Sequence, residues 1–157
     1  MLAILGLFVL TALSVAPTSH SALVPYANQT QCLTSSLGNS NGSAIILFPC
    51  TQDLASQAVV NTTLGQLTMY NGTMCFDVTR GVDRDGTQVQ LWQCFPGSRK
   101  QLWAVNYNND TVTWLGHNKC LDLAENSYDP YNRVQVRTCE QGRQSQGFVI
   151  TNETQSS

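Results

Sequence analysis

The chain has 157 residues and a formal net charge of −2, and only 11% of its residues are Asp, Glu, Lys or Arg. That length holds one domain of ordinary size, and such a charge-poor, weakly acidic chain lacks the clustered basic face that nucleic acid or an anionic membrane calls for. Its abundant Asn, Gln, Ser and Thr make neutral hydrogen bonds of the kind that suit polyhydroxylated ligands.

From the N-terminus, Leu2 to Ala16 is an almost unbroken apolar run, and Ser19-His20-Ser21 offers small residues at the spacing a signal peptidase reads. Residues 1–21 are predicted to be a secretory signal peptide, although no Lys or Arg precedes the apolar run. A membrane span needs about 20 apolar residues, and Pro17 ends this run sooner. No later run is long enough, so membrane insertion is not expected. The mature chain, residues 22–157, is expected outside the cell. Its six cysteines are an even number and read as three disulfides. Asn28, Asn41, Asn61, Asn71, Asn109 and Asn152 each stand in Asn-x-Ser/Thr and are candidate N-glycosylation sites.

The predicted elements recur three times. Cys32, Cys75 and Cys120 are 43 and 45 residues apart, and Cys50, Cys94 and Cys139 follow them at 18 or 19 residues. Before the first cysteine of each unit stand Val24 and Tyr26, then Leu67 and Met69, then Val112 and Trp114, each pair alternating as a half-buried strand does. Before the second cysteine come the strand-like runs Ala44 to Phe48, Thr87 to Trp92 and Arg133 to Arg137. After it come Gln57-Ala58-Val59, Gln101-Leu102-Trp103 and Gln146-Gly147-Phe148. Asn71-Gly72, Asp85-Gly86 and Asn108-Asn109-Asp110 mark turns. The chain is therefore read as all-β: three units of about 44 residues, each of roughly four short strands, closing a common core. Six cysteines allow 15 connectivities; the repeat selects Cys32–Cys50, Cys75–Cys94 and Cys120–Cys139. Each bridge closes a loop worth roughly 3 kcal/mol in the chain-entropy model.

Cys-Phe-Asp at 75–77, Gln-Leu-Trp at 90–92, Cys94 and Gln-Leu-Trp at 101–103 resemble the motif set of ricin B-chain-like lectin repeats, and Cys-Leu-Asp at 120–122 with Gln146-Gly147-Phe148 is a weaker copy. The resemblance covers the whole mature chain. It implies a β-trefoil and shallow pockets for galactose-type or related glycans. In such a pocket an aspartate accepts from sugar hydroxyls, an aromatic ring stacks on the sugar's C–H face, and an Asn-Gln pair completes the polar rim. Carried over, the middle repeat supplies Asp77, Gln90, Trp92 and Gln101, with Lys100 where the family usually has Asn. Lysine donates but cannot accept. The third repeat keeps Asp122, Gln135 and Gln146 but has Arg137 for the aromatic and Ser145 for the Asn, with Tyr128 or Tyr131 as rings from another direction. The first repeat has Thr34, Ile46 and Val59 in place of the aspartate, the first glutamine and the Trp; Phe48 keeps an aromatic, and the unit reads as scaffold.

Other readings of these residues stand beside that one. Asp77 and Asp122 could cap turns by bonding their own backbone. Trp103 and Trp114 read as core. Asp83-Arg84-Asp85-Gly86 lacks the spacing of a calcium loop and reads as a solvated hairpin tip. His117 alone among histidines survives removal of the leader, so no Ser-His-Asp or Cys-His set, zinc site or other cofactor is expected. The reading is a secreted, non-enzymatic lectin binding glycans or glycoproteins, mainly through the middle repeat. The competing one is a secreted β-trefoil that binds protein, such as a protease inhibitor or effector, and has lost sugar affinity.

Overall fold

The computed structural model describes residues 20–51, 55–57 and 59–153. Residues 1–19 of the predicted leader and Ala58 lie outside them, as do the side chain of Asn152 and residues 154–157. Among the described residues twelve strands follow one another, four to a repeat: β1 (His20–Pro25), β2 (Gln31–Ser35), β3 (Ser43–Pro49), β4 (Val60–Asn61), β5 (Leu67–Met69), β6 (Met74–Val78), β7 (Thr87–Gln93), β8 (Trp103–Asn106), β9 (Thr111–Trp114), β10 (Lys119–Leu123), β11 (Val134–Thr138) and β12 (Phe148–Glu153). The described residues form no α-helix, only short 3-10 turns, and no helix among them is long and apolar enough to cross a membrane. His20 and Ser21, assigned to the leader by sequence, pair with Glu153 and Asn152 within β1.

Hairpins β2–β3, β6–β7 and β10–β11 lie within repeats, while β4–β5, β8–β9 and β12–β1 join one repeat to the next. The result is a β-trefoil with the three predicted disulfides in place. Its core is built in threes, because alternate residues of a strand share a face. Leu33, Phe76 and Leu121 are fully buried, as are Ile45, Val89 and Val134, and Leu47, Leu91 and Val136. The threefold also governs the backbone: Val59 N–H donates to Ser21 O (2.6 Å), Trp103 N–H to Gly65 O (2.7 Å) and Phe148 N–H to Asp110 O (2.6 Å). Trp103 and Trp114 are core, as expected, and each indole N–H is satisfied, by Phe76 O at 3.0 Å and Arg99 O at 2.7 Å. Tyr26 departs from the pattern. Its counterparts Met69 and Trp114 are buried, yet β1 ends at Pro25 and Tyr26 is 60% exposed.

Hairpin tips dock cyclically on the next repeat. Gly42 N–H donates to Leu91 O, Gly86 N–H to Val136 O and Tyr131 N–H to Leu47 O. The 83–86 tip is thus not merely solvated, as its sequence suggested. Asp85 accepts from Thr138 N–H (2.7 Å) and Oγ1 (3.0 Å) and pairs with Lys119 (2.9 Å). Asp83 meets His117 Nδ1 at 2.8 Å, and the His117 ring stacks on Trp114. The Lys119 hydrogen bond, helped by Thr138, holds the Asp85 carboxyl down to about 2 from 3.8. His117 and Lys119 lower Asp83 likewise, and Asp85 raises Lys119. Because the folded value for Asp85 is the lower one, its contribution is full above the unfolded value and fades as pH falls from 3.8 toward 2. Asp85 is 41% exposed, so after screening the effect is at most about 1 kcal/mol. Thermal melts of Asp85→Asn and the wild type should therefore differ at neutral pH and converge at the acid end of that window. A difference that persists unchanged at the lowest pH would contradict the assignment.

Candidate functional site

Asp77 and Gln90 face each other across β6 and β7, as do Asp122 and Gln135 across β10 and β11; the first repeat puts Thr34 opposite Ile46 in the same register. The thirteen-residue spacing is thus a cross-strand pair. Phe76 and Leu91 point into the core, so Asp77 and Gln90 point out, and Trp92 lies on their face two rungs along, opposite Cys75. The half-buried Trp92 ring packs by the first hairpin tip, 4.0 Å from where a Cβ on Gly42 would sit. Arg80 and Glu125, three residues beyond the two aspartates, both adopt left-handed backbone (φ 56° and 54°). Such conformations are uncommon for residues other than glycine, and here they turn the chain sharply beside each carboxylate.

Both carboxylates are fully buried, and neither caps a turn, since their partners are side chains. Asp77 Oδ1 accepts from Gln90 Nε2 (3.2 Å), and Oδ2 accepts from Gln101 Nε2 (3.1 Å) and lies 3.5 Å from Lys100 Nζ. The Lys100 stem runs past Gly81, where an added Cβ would meet Lys100 Cγ at 3.1 Å. Asp122 is held harder: Oδ1 accepts from Ser145 Oγ (2.7 Å) and Arg143 Nε (3.0 Å), and Oδ2 accepts from Gln135 Nε2 (2.8 Å). The hydrogen bond to Asp122 raises Arg143 above its ordinary value, with Glu140 adding to it. Arg143 is a site residue that the motif comparison missed, because the covering cation here stands two positions before Lys100's counterpart, Ser145.

Gln101 and Gln146 have a different role from the polar rim implied by the resemblance. Gln101 is fully buried; it donates to Gln93 O (3.0 Å) and accepts from Phe95 N–H (2.9 Å). Gln146 makes the same pair with Thr138 O and Glu140 N–H, and Gln57 with Pro49 O and Thr51 N–H. All three clamp the loop after the second cysteine. Gln101 additionally positions Asp77 from below, whereas no such bond links Gln146 to Asp122 among those described.

Tyr128 and Tyr131 separate. Burial first, and the Asp122 charge second, raise the Tyr128 hydroxyl above its ordinary value, and its oxygen is buried without a hydrogen-bond partner among the described residues. Tyr131 packs edge-on against Phe48 of the first repeat. Arg137 reaches Glu140 (3.7 Å). No cluster of three His, Cys, Asp or Glu side chains able to hold a metal is found among the described residues.

Residues 20–148 match the ricin-type beta-trefoil lectin domain. No curated protein matches the sequence. Among solved structures, the C-half of an earthworm R-type lectin in complex with GalNAc is similar with a TM-score of 0.71 at 17% identity, over 87% of this chain and 100% of that one. A designed threefold-symmetric protein, ThreeFoil, also gives 0.71, at 19% identity over 83% and 96%. An agglutinin from Abrus precatorius gives 0.65 at 15% identity, over 89% of this chain and 51% of that one. These likenesses carry the fold; the match along the sequence carries the kinship and points to a carbohydrate-binding domain rather than an enzyme. The chain belongs to the ricin-type β-trefoil lectin family.

Proposed function

We propose that the protein is a secreted lectin for galactose-type or related glycans, released after removal of its N-terminal leader, and that it takes sugar mainly through the middle repeat. The observation that carries the choice of repeat is the unequal cover on the two carboxylates. Asp122 is saturated by three short bonds, one from a guanidinium, whereas the cation over Asp77 stands off at 3.5 Å and is 42% exposed. A sugar hydroxyl replaces such a loosely held lysine at little cost. Trp92 on the same face supplies the ring for the C–H side of the sugar. In the third repeat the Tyr128 hydroxyl, without a partner among the described residues, is a group that a weaker, second sugar could satisfy.

The test is affinity chromatography and calorimetry on galactose, lactose and N-acetylgalactosamine ligands. Trp92→Ala should weaken binding about tenfold or more, since an aromatic contact adds about 0.5–1.5 kcal/mol beyond the area it buries. Circular dichroism checks that the variant stays folded. Full burial of both carboxylates favours the second reading, a β-trefoil that binds protein. A folded wild type that retains no glycan would put that reading ahead of the first.

A further inference from the structure

The three repeats differ at two positions that set how tightly the loop after the second cysteine packs. Immediately before Val24, Leu67 and Val112 stand Leu23, Gln66 and Thr111. Leu23 is fully buried. Gln66 is buried too, and its amide donates to Phe95 O (3.1 Å) and Gln101 Oε1 (3.4 Å), filling the space between β5 and its loop. Thr111 is shorter and fills nothing equivalent. The second position holds Leu102 in the middle repeat and Gly147 in the third. Two side chains have shrunk together, and a cleft of about 700 Å³ opens between the β8–β9 turn and the 139–147 loop. That is a size that takes a small organic ligand, about 300–1,000 Å³.

Tyr26 stands at the lip of this cleft, the aromatic that left the core pattern and is 60% exposed. It lies against Gly147, where an added Cβ would come within 3.3 Å of Tyr26 Cβ. Amides of Asn106 and Gln144 line the walls. A flat ring beside neutral amides is the surface a sugar prefers, with its C–H face on the ring and its hydroxyls and acetamido group on the amides. The sequon Asn109-Asp110-Thr111 is itself part of the lining. Thr111 Oγ1 donates to Asn109 Oδ1 (2.7 Å), which occupies the amide oxygen and leaves Nδ2 as the atom to be substituted.

We propose that this cleft seats the protein's own N-linked glycan at Asn109, with its first two N-acetylglucosamine residues along the cleft and one apolar sugar face on Tyr26. The glycan comes from a lipid-linked oligosaccharyl diphosphate. Asn109 Nδ2 attacks the anomeric carbon and loses a proton; the bond from that carbon to the diphosphate oxygen breaks, and the diphosphate leaves with the electron pair. The proposal rests on the export reading, since that donor is met on the secretory route, and it is independent of which repeat binds free sugar. Asn28 has the same threonine-to-asparagine bond (2.7 Å) but lines neither described cleft, which makes it the internal comparison.

The experiment uses protein secreted by a eukaryotic host, with site occupancy read by mass spectrometry. Native protein is then treated with an amidase that cuts the asparagine–sugar bond. Release from Asn109 should be at least tenfold slower than from Asn28, and the two should release alike once the protein is denatured. Tyr26→Ser should bring the native rates together with occupancy unchanged, and Gly147→Leu, which refills the cleft, should do the same. Equal native release rates in the wild type would overturn the proposal, as would an unmodified Asn109 beside other occupied sequons. If every sequon is bare, the export reading falls and the proposal falls with it.

Discussion

Trp103→Ala should lower the stability of the protein by about 3–5 kcal/mol, the usual cost of truncating a buried tryptophan. The indole is 2% exposed and packs where β8 meets the core cluster. Its loss leaves a cavity, and it also removes the buried hydrogen bond from the indole to Phe76 O (3.0 Å). Ordinary domains have only about 5–15 kcal/mol in total; the three disulfides, which restrict the unfolded chain, are what let the variant be isolated at all. The repeat supplies graded controls, because the same position is Val59 in the first unit and Phe148 in the third. Trp103→Phe should cost least, and Trp103→Val should fall between it and alanine. Urea denaturation followed by circular dichroism gives the order directly. An alanine variant within 1 kcal/mol of the wild type would mean that the core is not organised around this ring.

Why the fold was so legible from sequence can be seen at particular residues. Paired strands demand alternation, and a threefold core demands that the same alternation recur. Leu33, Phe76 and Leu121 therefore carry their burial in their spacing from the cysteines. Asp77 and Gln90 were legible for the same reason, as a spacing fixed by one hairpin's register. Gln101 misled because its motif neighbours are ligand-facing in the family that it resembles. The signal against that role was present: Gln57 occupies the equivalent place in a repeat with no aspartate, so the glutamine had to serve the scaffold. Arg143 and Asp85 left no such trace. One covers Asp122 from 21 residues away and the other docks on Thr138 from 53 away. Periodicity tells which way a side chain leaves the backbone, not what a long or distant one covers. Tyr26 escaped because a strand boundary, set here at Pro25, decides its exposure.

Asp77→Asn should weaken glycan binding by ten- to a hundredfold. Hydrogen bonds to a charged group contribute about 1.5–3 kcal/mol, and each 1.4 kcal/mol is about tenfold. Asparagine keeps the size and one carbonyl acceptor, which retains the Gln101 bond, while the half-buried Gln90 turns its amide to accept from the new Nδ2, so the fold should hold. Alanine would instead leave their amides unpaired inside the protein and mix a folding defect into the reading. Lys100 decides how large the wild-type affinity is to begin with. If its ammonium must leave Asp77 before a hydroxyl enters, Lys100→Ala should raise affinity, but not by much. An ion pair whose lysine is 42% exposed is worth at most about 1 kcal/mol, which is about fivefold. The asymmetry is the prediction: a small gain on removing the cation, a large loss on removing the charge beneath it, and little change for Asp122→Asn in the saturated third repeat. Calorimetry on the three variants with one simple glycan measures all of it. A large loss at Asp122 with none at Asp77 would move the site to the third repeat. A loss at Lys100→Ala would show that the ammonium donates to the sugar instead of standing in its way.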